Sequence, residues 1–456
     1  MLRTARTLLA VVALGSAGAA GATEIHHYEL DNGMQILVRE DHRAPVVVSQ
    51  VWYRVGSVDE HRGVTGVSHV LEHMMFKGTD ELGPGEFSET IARHGGSDNA
   101  FTGREYTAYF QRIAAEHLEL CLRLEADRMV DLRLDEEEFQ RELAVVREER
   151  RQRVEDNPHA LTHERARAAA FPSSPARSPI IGWPADLASL TLDDVRRWYQ
   201  RYYGPDNATL VVVGDVDPDA VHRLARKHFG PLAPIGAPGR LAAAELDPRG
   251  ETRLRVHAPA TLPYLSLDWR VPSLTTAADP RDAYALDVLV GVLDGGLSAR
   301  IESNVVRGRR VAAGAGAGYS PLAHGDTLFS VSGTPAEGRD VAELEQALRA
   351  EIDRLKEGAI EPAELERVKT NVRAQHVFQQ DSMFYQAMRL GMLETIGLGR
   401  DAYDEYLAGI EQVTADDVRR VAREYLDDRR LTVARLVPEG VGTGGAATQG
   451  GQADAG

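Results

Sequence analysis

The sequence predicts an α+β fold of two homologous domains, each a mostly antiparallel sheet covered by helices, facing each other across a cleft. Three observations predict it. The segment "LTLDDVRRWYQRYYGPDNATLVVVGD" from Leu190 is echoed by "VTADDVRRVAREYLDDRRLTVARLV" from Val413, with the DDVRR blocks 223 residues apart and Tyr202 falling on Tyr425. A second pair, "LDEEEFQRELAVVREERR" from Leu134 and "IEPAELERVKTNVRAQHV" from Ile360, repeats at an offset of 226. Helices in one order at nearly one offset indicate two copies of one domain. Strand-like segments are, in addition, grouped with helices rather than alternating regularly as βαβ units, which favours helices packed on one side of an antiparallel sheet. A chain of 456 residues with 43% hydrophobic content is long enough for both copies.

The elements follow in order. Residues 1–22, "MLRTARTLLAVVALGSAGAAGA", carry two arginines, an apolar run and small residues ending in Ala20-Gly21-Ala22, the pattern of a secretory signal peptide. An exported protein, in a bacterial periplasm or secreted, is therefore expected. A mitochondrial presequence would be amphipathic and would lack the continuous apolar stretch. No cysteine follows the leader where a lipid anchor would need one, and no later segment has the roughly 18 apolar residues of a membrane span. A soluble mature chain is the expectation.

The first domain is read over residues 23–234. "YELDNGMQILVRED" gives two short strands about an Asn-Gly turn, and "PVVVSQVWYRVGS" a β-branched strand. A helix over "GVTGVSHVLEHMMFKGT" follows, then a helix over "EFSETIARHGG" with a glycine stop. "NAFTGREYTAYFQRI" alternates as one strand, long helices run from Ala114 to about Glu155, and the DDVRR helix and the strand "ATLVVVGDV" close the copy. Residues 235–252, rich in Pro, Gly and Ala, form a linker. The second domain, 253–437, repeats the plan with strand "YLSLDWRV", helix "PRDAYALDVLVGVLDG", strands around "VAAGAGAGYSP" and "TLFSVSGTP", three helices and strand "RLTVARLV". Residues 438–456 are too poor in apolar side chains to fold and read as a disordered tail.

The formal charge of −17 becomes −19 once a leader bearing only Arg3 and Arg6 is removed. Such acidity argues against nucleic acid as a partner and mildly favours basic or unfolded peptides. Cys121, the only cysteine, has helical apolar neighbours and reads as a buried structural residue, so no internal disulfide can form.

Chemistry concentrates in "GVTGVSHVLEHMMFKGT". His69 and His73 are four apart and share a helix face, with Glu72 on or beside it. All three sit among Val67, Val70, Leu71, Met74 and Phe76, where unpaired polar groups cost several kcal/mol. A metal site accounts for all three together. A catalytic zinc commonly takes three protein ligands and keeps one position open, so a carboxylate is the missing type. In "FQRELAVVREERRQRVEDNP", Glu142 and Glu149 are seven apart on one face, with Val145 and Val146 between them turning that face inward, and Glu148 is left to solvent.

The His-x-x-Glu-His order marks the inverzincins. With "HGGSDNAFTGREYTAYF", the pair Glu142 and Glu149, "EDNP" and "YYGPDNATLVVVGD", the chain resembles the pitrilysin/insulinase family, which includes the mitochondrial processing peptidases and their bacterial relatives. The likeness runs from about Glu24 to Val437, and Glu149, 76 residues beyond His73, stands at the family's spacing for the third ligand.

The resemblance implies a zinc metalloendopeptidase acting on unfolded peptides, with one Zn²⁺ held by His69, His73 and Glu149. It implies that Glu72 is the general base toward the attacking water, that Glu142 holds a ligand histidine or a water in place, and that Asn99 opens a strand that pairs with extended substrate. The second copy has no metal ligands: positions offset by 226 from His69 and Glu149 are Gly295 and Gln375. Relatives use that half to supply an arginine and a tyrosine to the substrate carbonyl and the oxyanion. Here Arg307, Arg309 or Arg310 can serve as the arginine, with Arg307 the leading candidate, but the tyrosine's place aligns with Ala313 and Tyr319 lies six residues later. The resemblance therefore points to the zinc subunit of a heterodimer with a homologous metal-less partner, or otherwise to a homodimer. A catalytically silent structural subunit is the alternative. Such members lose a ligand or the base, and none of His69, Glu72, His73 and Glu149 is missing here. A third reading, zinc-dependent chemistry on a small molecule, finds no nucleotide or phosphate loop: no Gly-rich fingerprint follows a strand and opens a helix.

Overall fold

A computed structural model describes residues 24–240, 245–248, 250–358 and 360–439. The leader read at residues 1–22 and all of the tail beyond Glu439 lie outside the described residues. The first sheet contains β1 (Ile25–Glu29), β2 (Gln35–Glu40), β3 (Val46–Tyr53), β4 (Ser97–Thr102), β5 (Thr107–Ala114) and β6 (Ala208–Gly214), in the order β1-β2-β6-β3-β5-β4. The second contains β7 (Thr252–Pro259), β8 (Tyr264–Val271), β9 (Ala312–Gly318), β10 (Thr327–Pro335) and β11 (Leu431–Glu439), in the order β7-β11-β8-β10-β9.

Without the extra edge strand β1, both sheets place their strands as first, last, second, fourth, third. In both, only the first and last strands pair parallel, β2 with β6 and β7 with β11; every other pairing is antiparallel. The duplication read from two helices thus extends to the sheet topology. β11 runs two residues past the sequence-read boundary, with Pro438 and Glu439 beside Ala258 and Pro259.

The first half's helices are α1 (Val67–Met74), α2 (Glu86–Arg93), α3 (Leu118–Val130), α4 (Glu136–Arg150), α5 (Pro158–Ala170), α6 (Pro184–Ser189), α7 (Leu192–Tyr202) and α8 (Pro218–His228). The second half's are α9 (Pro280–Asp294), α10 (Val341–Glu357), α11 (Pro362–Gln380), α12 (Met383–Thr395), α13 (Ala402–Gln412) and α14 (Ala415–Tyr425). The DDVRR helices α7 and α14 start alike. Thr191 and Thr414 cap them, and Asp194 and Asp417 accept the cap residue's own N–H at 3.0 Å in each case.

Two expectations are corrected. "NAFTGREYTAYFQRI" is not one strand but most of the hairpin β4–β5, turned where the Gly103 N–H donates to the Tyr106 carbonyl at 2.7 Å. A Cβ at Gly103 would stand 2.5 Å from the Tyr106 ring, so the turn needs the glycine. Between β10 and β11 lie five helices, α10 to α14, rather than three. The break before α12 is capped by Ser382, whose side chain accepts the Tyr385 N–H.

Each sheet's own helices cover one face. Helix α1, with Val67, Val70, Leu71 and Met74 fully buried, packs there beside Ile36, Val38, Val51 and Tyr109. The opposite face is covered by a helix from the other half. Ala387 and Leu390 of α12 pack on Leu37, Val48, Trp52, Val211 and Val213 of the first sheet. Reciprocally, α5 packs on β7, β8 and β11, with Leu161 against Ala258, Tyr264 and Leu436 and His159 stacked on Tyr264 at 4.4 Å. α5 and α12 occupy the same place in their copies, each following the long duplicated helix. The halves are joined by exchange, and a cleft remains between them.

Gly391 allows α12 to seat, because a Cβ there would lie 2.1 Å from Trp52 Nε1. Helix propensity alone would make Gly391→Ala stabilising by about 1 kcal/mol. The clash reverses the sign, and a net loss of about 1–3 kcal/mol is expected in urea unfolding.

Candidate metal centre

The start of α1 is fixed by a buried carboxylate. Glu60 accepts the backbone N–H of Gly66 at 2.7 Å and of Ser68 at 3.0 Å, satisfying donors that a helix N-terminus leaves open. Burial raises Glu60 to about 7, against the opposing pull of these two N–H groups. Gly66 has φ 89 and no room for a Cβ, which would meet the Ile181 carbonyl at 2.8 Å. With its apolar side held in the core, α1 presents His69, Glu72 and His73 to the cleft.

The third group of the candidate site, Glu149, comes from the end of α4. Phe139, Glu142, Leu143, Val146 and Arg150 are its buried stripe, and Glu149 lies at the stripe's edge. Val145, expected to face inward, is 49% exposed, because it falls outside a stripe centred on Phe139 and Val146. Glu148 points to solvent and pairs with Arg151 at 2.6 Å. Past Arg150 the helix widens into a π-helical turn, Arg151–Glu155, from which Arg153 reaches Glu149 at 2.5 Å.

His69, His73 and Glu149 offer two imidazole nitrogens and a carboxylate oxygen, all within 4.8 Å of one another. Glu149 Oε2 lies 3.7 Å from His69 Nε2 and 3.6 Å from His73 Nε2, and the imidazoles stand nearly perpendicular at 80°. Two ligands about 2.1 Å from a tetrahedral zinc lie about 3.4 Å apart, so the set fits the ion with little movement. Burial, with the neighbouring His73 and Arg153, pushes His69 down to about 3, leaving the neutral imidazole that a metal requires. Its Nδ1 is buried without a hydrogen-bond partner among the described residues.

Glu142 accepts from His73 Nδ1 at 2.9 Å, which fixes the ring's orientation and leaves Nε2 open to a metal ion. Lys77 holds its other oxygen at 2.7 Å. Burial raises the Glu142 carboxyl, but Lys77 and His73 outweigh it and hold the group below its ordinary value. Glu72 accepts a short hydrogen bond from the Thr102 hydroxyl, and burial raises its carboxyl, which makes it a stronger proton acceptor than a surface glutamate. Lys77 and Thr102 escaped the sequence reading. Lys77 sits four after His73 and its spacing was available; Thr102 depends on a hairpin that the sequence did not disclose.

Four groups, His69, Glu72, His73 and Glu149, line a cavity of about 1010 Å³ between the halves, together with Asn99, Ala100, Phe101 and Thr102 of β4 and with Asp268, Tyr319 and Ser330 of the second half. The side-chain oxygen of Asn99 accepts the Ala100 N–H at 2.8 Å. β4 ends its sheet, and among the described residues it pairs only with β5, which leaves its other edge without a strand. Arg307 is not brought to this cavity: it turns back to Leu297 and Ser303 and pairs with Glu302 at 3.2 Å. Arg309 pairs with Glu351 at 2.7 Å, and Arg310 has a left-handed backbone, φ 51. Ala313 is exposed on β9. Tyr319 lines the cavity, its hydroxyl donating to the Pro272 carbonyl at 2.7 Å. Cys121 is buried in the core, as its neighbours indicated, and burial raises its thiol to about 12.

Comparison with known proteins agrees with this arrangement. The family described as insulinase (peptidase family M16) matches residues 35–183, which contain all four groups, and the M16 inactive domain matches residues 189–372. The zinc protease PqqE of Helicobacter pylori is 32% identical over 416 residues, covering 90% of this chain and 92% of that protein. The crystal structure of a protease from Helicobacter pylori aligns with a TM-score of 0.86 at 30% identity, over 91% of this chain and 100% of the other. The periplasmic protease PqqL from Escherichia coli has the same fold, with a TM-score of 0.76 at 19% identity, and 92% of this chain lies on 48% of its length. With the insulinase (peptidase family M16) model matched on the half that carries His69, His73 and Glu149 and the M16 inactive domain matched on the other, the chain belongs to the insulinase family of peptidases, M16.

Proposed function

We propose that the protein is a zinc metalloendopeptidase that hydrolyses unfolded peptides, and the observation that carries this is Glu72 on the same cavity wall as His69, His73 and Glu149. When bound, Zn²⁺ supplies the Lewis acidity that polarises a carbonyl and makes water easier to deprotonate near neutral pH. Glu72 takes the proton of the attacking water and returns one to the leaving amine. Its bond from Thr102 aims the carboxylate along the end of β4. Glu142 keeps the His73 ring in one tautomer and orientation. The unpaired edge of β4, beginning near Asn99, takes an extended backbone by strand addition, which selects unfolded chains over folded domains.

The leader supports export to a bacterial periplasm or beyond the cell. A dimer completes the enzyme in this reading, preferably with a homologous metal-less subunit and otherwise with a second copy. Two observations support it: Arg307 stands away from the cavity and Ala313 has no hydroxyl. PqqL, about half of which has this fold, is consistent with such pairing.

Zinc-loaded wild type, given a mixture of unstructured peptides and followed by mass spectrometry, should cut them if self-sufficient. Glu72→Gln should keep its metal and lose about two to four orders of magnitude in rate. Activity retained in that variant removes Glu72 from the role of base. Glu149→Gln should bind zinc more weakly by titration, and unchanged metal content would exclude it as a ligand. Glu142→Gln should lower zinc affinity or activity about tenfold to a hundredfold through a misheld His73, read by competition with a chelator.

A further inference from the structure

The candidate metal ligands and Glu72 share their cavity with Arg104, Arg167 and Arg177, which the proposed chemistry leaves unused, and the first two meet at one carbonyl. Arg104 stands two residues past Thr102, the last residue of β4, and Arg167 projects from α5. Both are partly buried and both donate to the same loop carbonyl. Arg167 Nε reaches the Ala176 oxygen at 2.7 Å, and Arg104 Nη1 reaches it at 3.4 Å and the Ser178 oxygen at 2.9 Å. Arg167 also lies over the Phe171 ring at 4.9 Å.

Neither guanidinium has a carboxylate within 4.0 Å among the described residues. The nearby acids are engaged or stand farther off. Glu164, on the same helix as Arg167, is spent on Arg150 at 2.9 Å, and Asp268 accepts from Ser266 and Ser330. Glu105 and Asp268 act on the pair only from beyond ion-pair distance. Burial, and next the charge of Arg104, drives Arg167 down to about 9, which still leaves it a cation near neutral pH. Two like charges drawn together out of water without a counter-ion are unfavourable unless something of opposite charge is to join them. In a chain of net charge −17 this local excess of cation is set against the overall field.

We infer that Arg104 and Arg167 form a carboxylate-binding subsite in the cleft, which takes an aspartate or glutamate side chain, or the C-terminal carboxylate, of a bound peptide. This rests on the peptidase reading above and names a preference within it. The position of Arg104 just past the end of β4 sets the carboxylate within a few residues of the bond nearest Glu72. Guanidinium forks match carboxylates bidentately, so the preference should be for the anion and not for its amide.

The test uses the zinc-loaded full chain carrying Glu72→Gln, so that peptides are bound and not consumed. One short unstructured peptide without acidic residues, blocked at both ends, is compared by calorimetry with versions carrying a single Asp walked along it, and with the neutral sequence ending in a free carboxylate. At least one carboxylate-bearing peptide should bind tighter than the neutral one by about tenfold to a hundredfold. The Asp series and the free C-terminus tell the two sources apart. Adding Arg167→Gln should abolish the gain, and Arg167→Lys should restore part of it, which a merely misfolded variant would not do. If no carboxylate improves Kd by more than about twofold, or the gain survives both Arg167→Gln and Arg104→Gln, the subsite is overturned. Wild-type cleavage is scored on the same peptides. Carboxylate-selective binding upholds the subsite whether or not the lone chain cleaves, and the peptidase reading is defeated only if cleavage is also absent with a homologous metal-less subunit present; cleavage without carboxylate selectivity overturns the subsite alone.

Discussion

The exchange of α5 and α12 between the two halves is the packing on which the rest of the molecule depends. Each sheet has two apolar faces and enough helices of its own for one. The second face of the first sheet, with Leu37, Trp52 and Val211, is closed by Ala387 and Leu390 from the far end of the chain. The second face of the other sheet is closed by α5. Burial at roughly 25 cal/mol per Å² makes these two contacts the cohesion between the halves. Arg240, near the start of the linker, is also tied to Asp59 by a buried ion pair at 3.0 Å. The cleft is what remains once both helices are seated, and its walls are set by them.

Within that frame, α1 reconciles two demands. Its apolar side must reach the core and its polar side must present three groups at the cavity. The compromise is stabilised in a relay of single contacts: Glu60 fixes the helix start, Thr102 fixes Glu72, and Lys77 fixes Glu142, which in turn fixes His73. Glu60, Glu72, His73 and Glu142 each meet a partner as they enter the protein interior, which lowers the cost of burying them. His69 Nδ1 has none among the described residues.

Much of this was legible in the sequence, for physical reasons that can be named. His69 and His73 announce themselves because helical spacing and an apolar background make a bland reading expensive in free energy. Glu149 was separable from Glu148 by its distance of two turns from Glu142. The duplication showed in the DDVRR blocks of α7 and α14, helices that also start with the same Thr-x-x-Asp capping box. What stayed hidden was long-range. That Val145 faces solvent depends on where α4 meets its neighbours, the turn at Gly103 depends on the Tyr106 ring, and the placement of Arg104 beside Arg167 depends on a loop carbonyl at Ala176 that joins segments far apart in sequence. A periodicity argument sees one element at a time and is blind to such meetings.

The strand order has a consequence for how the chain reaches this state. In each half the last strand made enters between two earlier ones, β6 between β2 and β3 and β11 between β7 and β8, and does not extend an edge. Until Ala208–Gly214 is available the first sheet is two fragments with a gap at its centre, and the Trp52 face stays bare until Met383–Thr395 arrives. Contacts between residues so distant in sequence form late and slowly, and the surfaces that await them are sticky meanwhile. A half cut out at the linker would be stranded at that stage, so the two copies, although each repeats a complete sheet plan, mature as one folding unit.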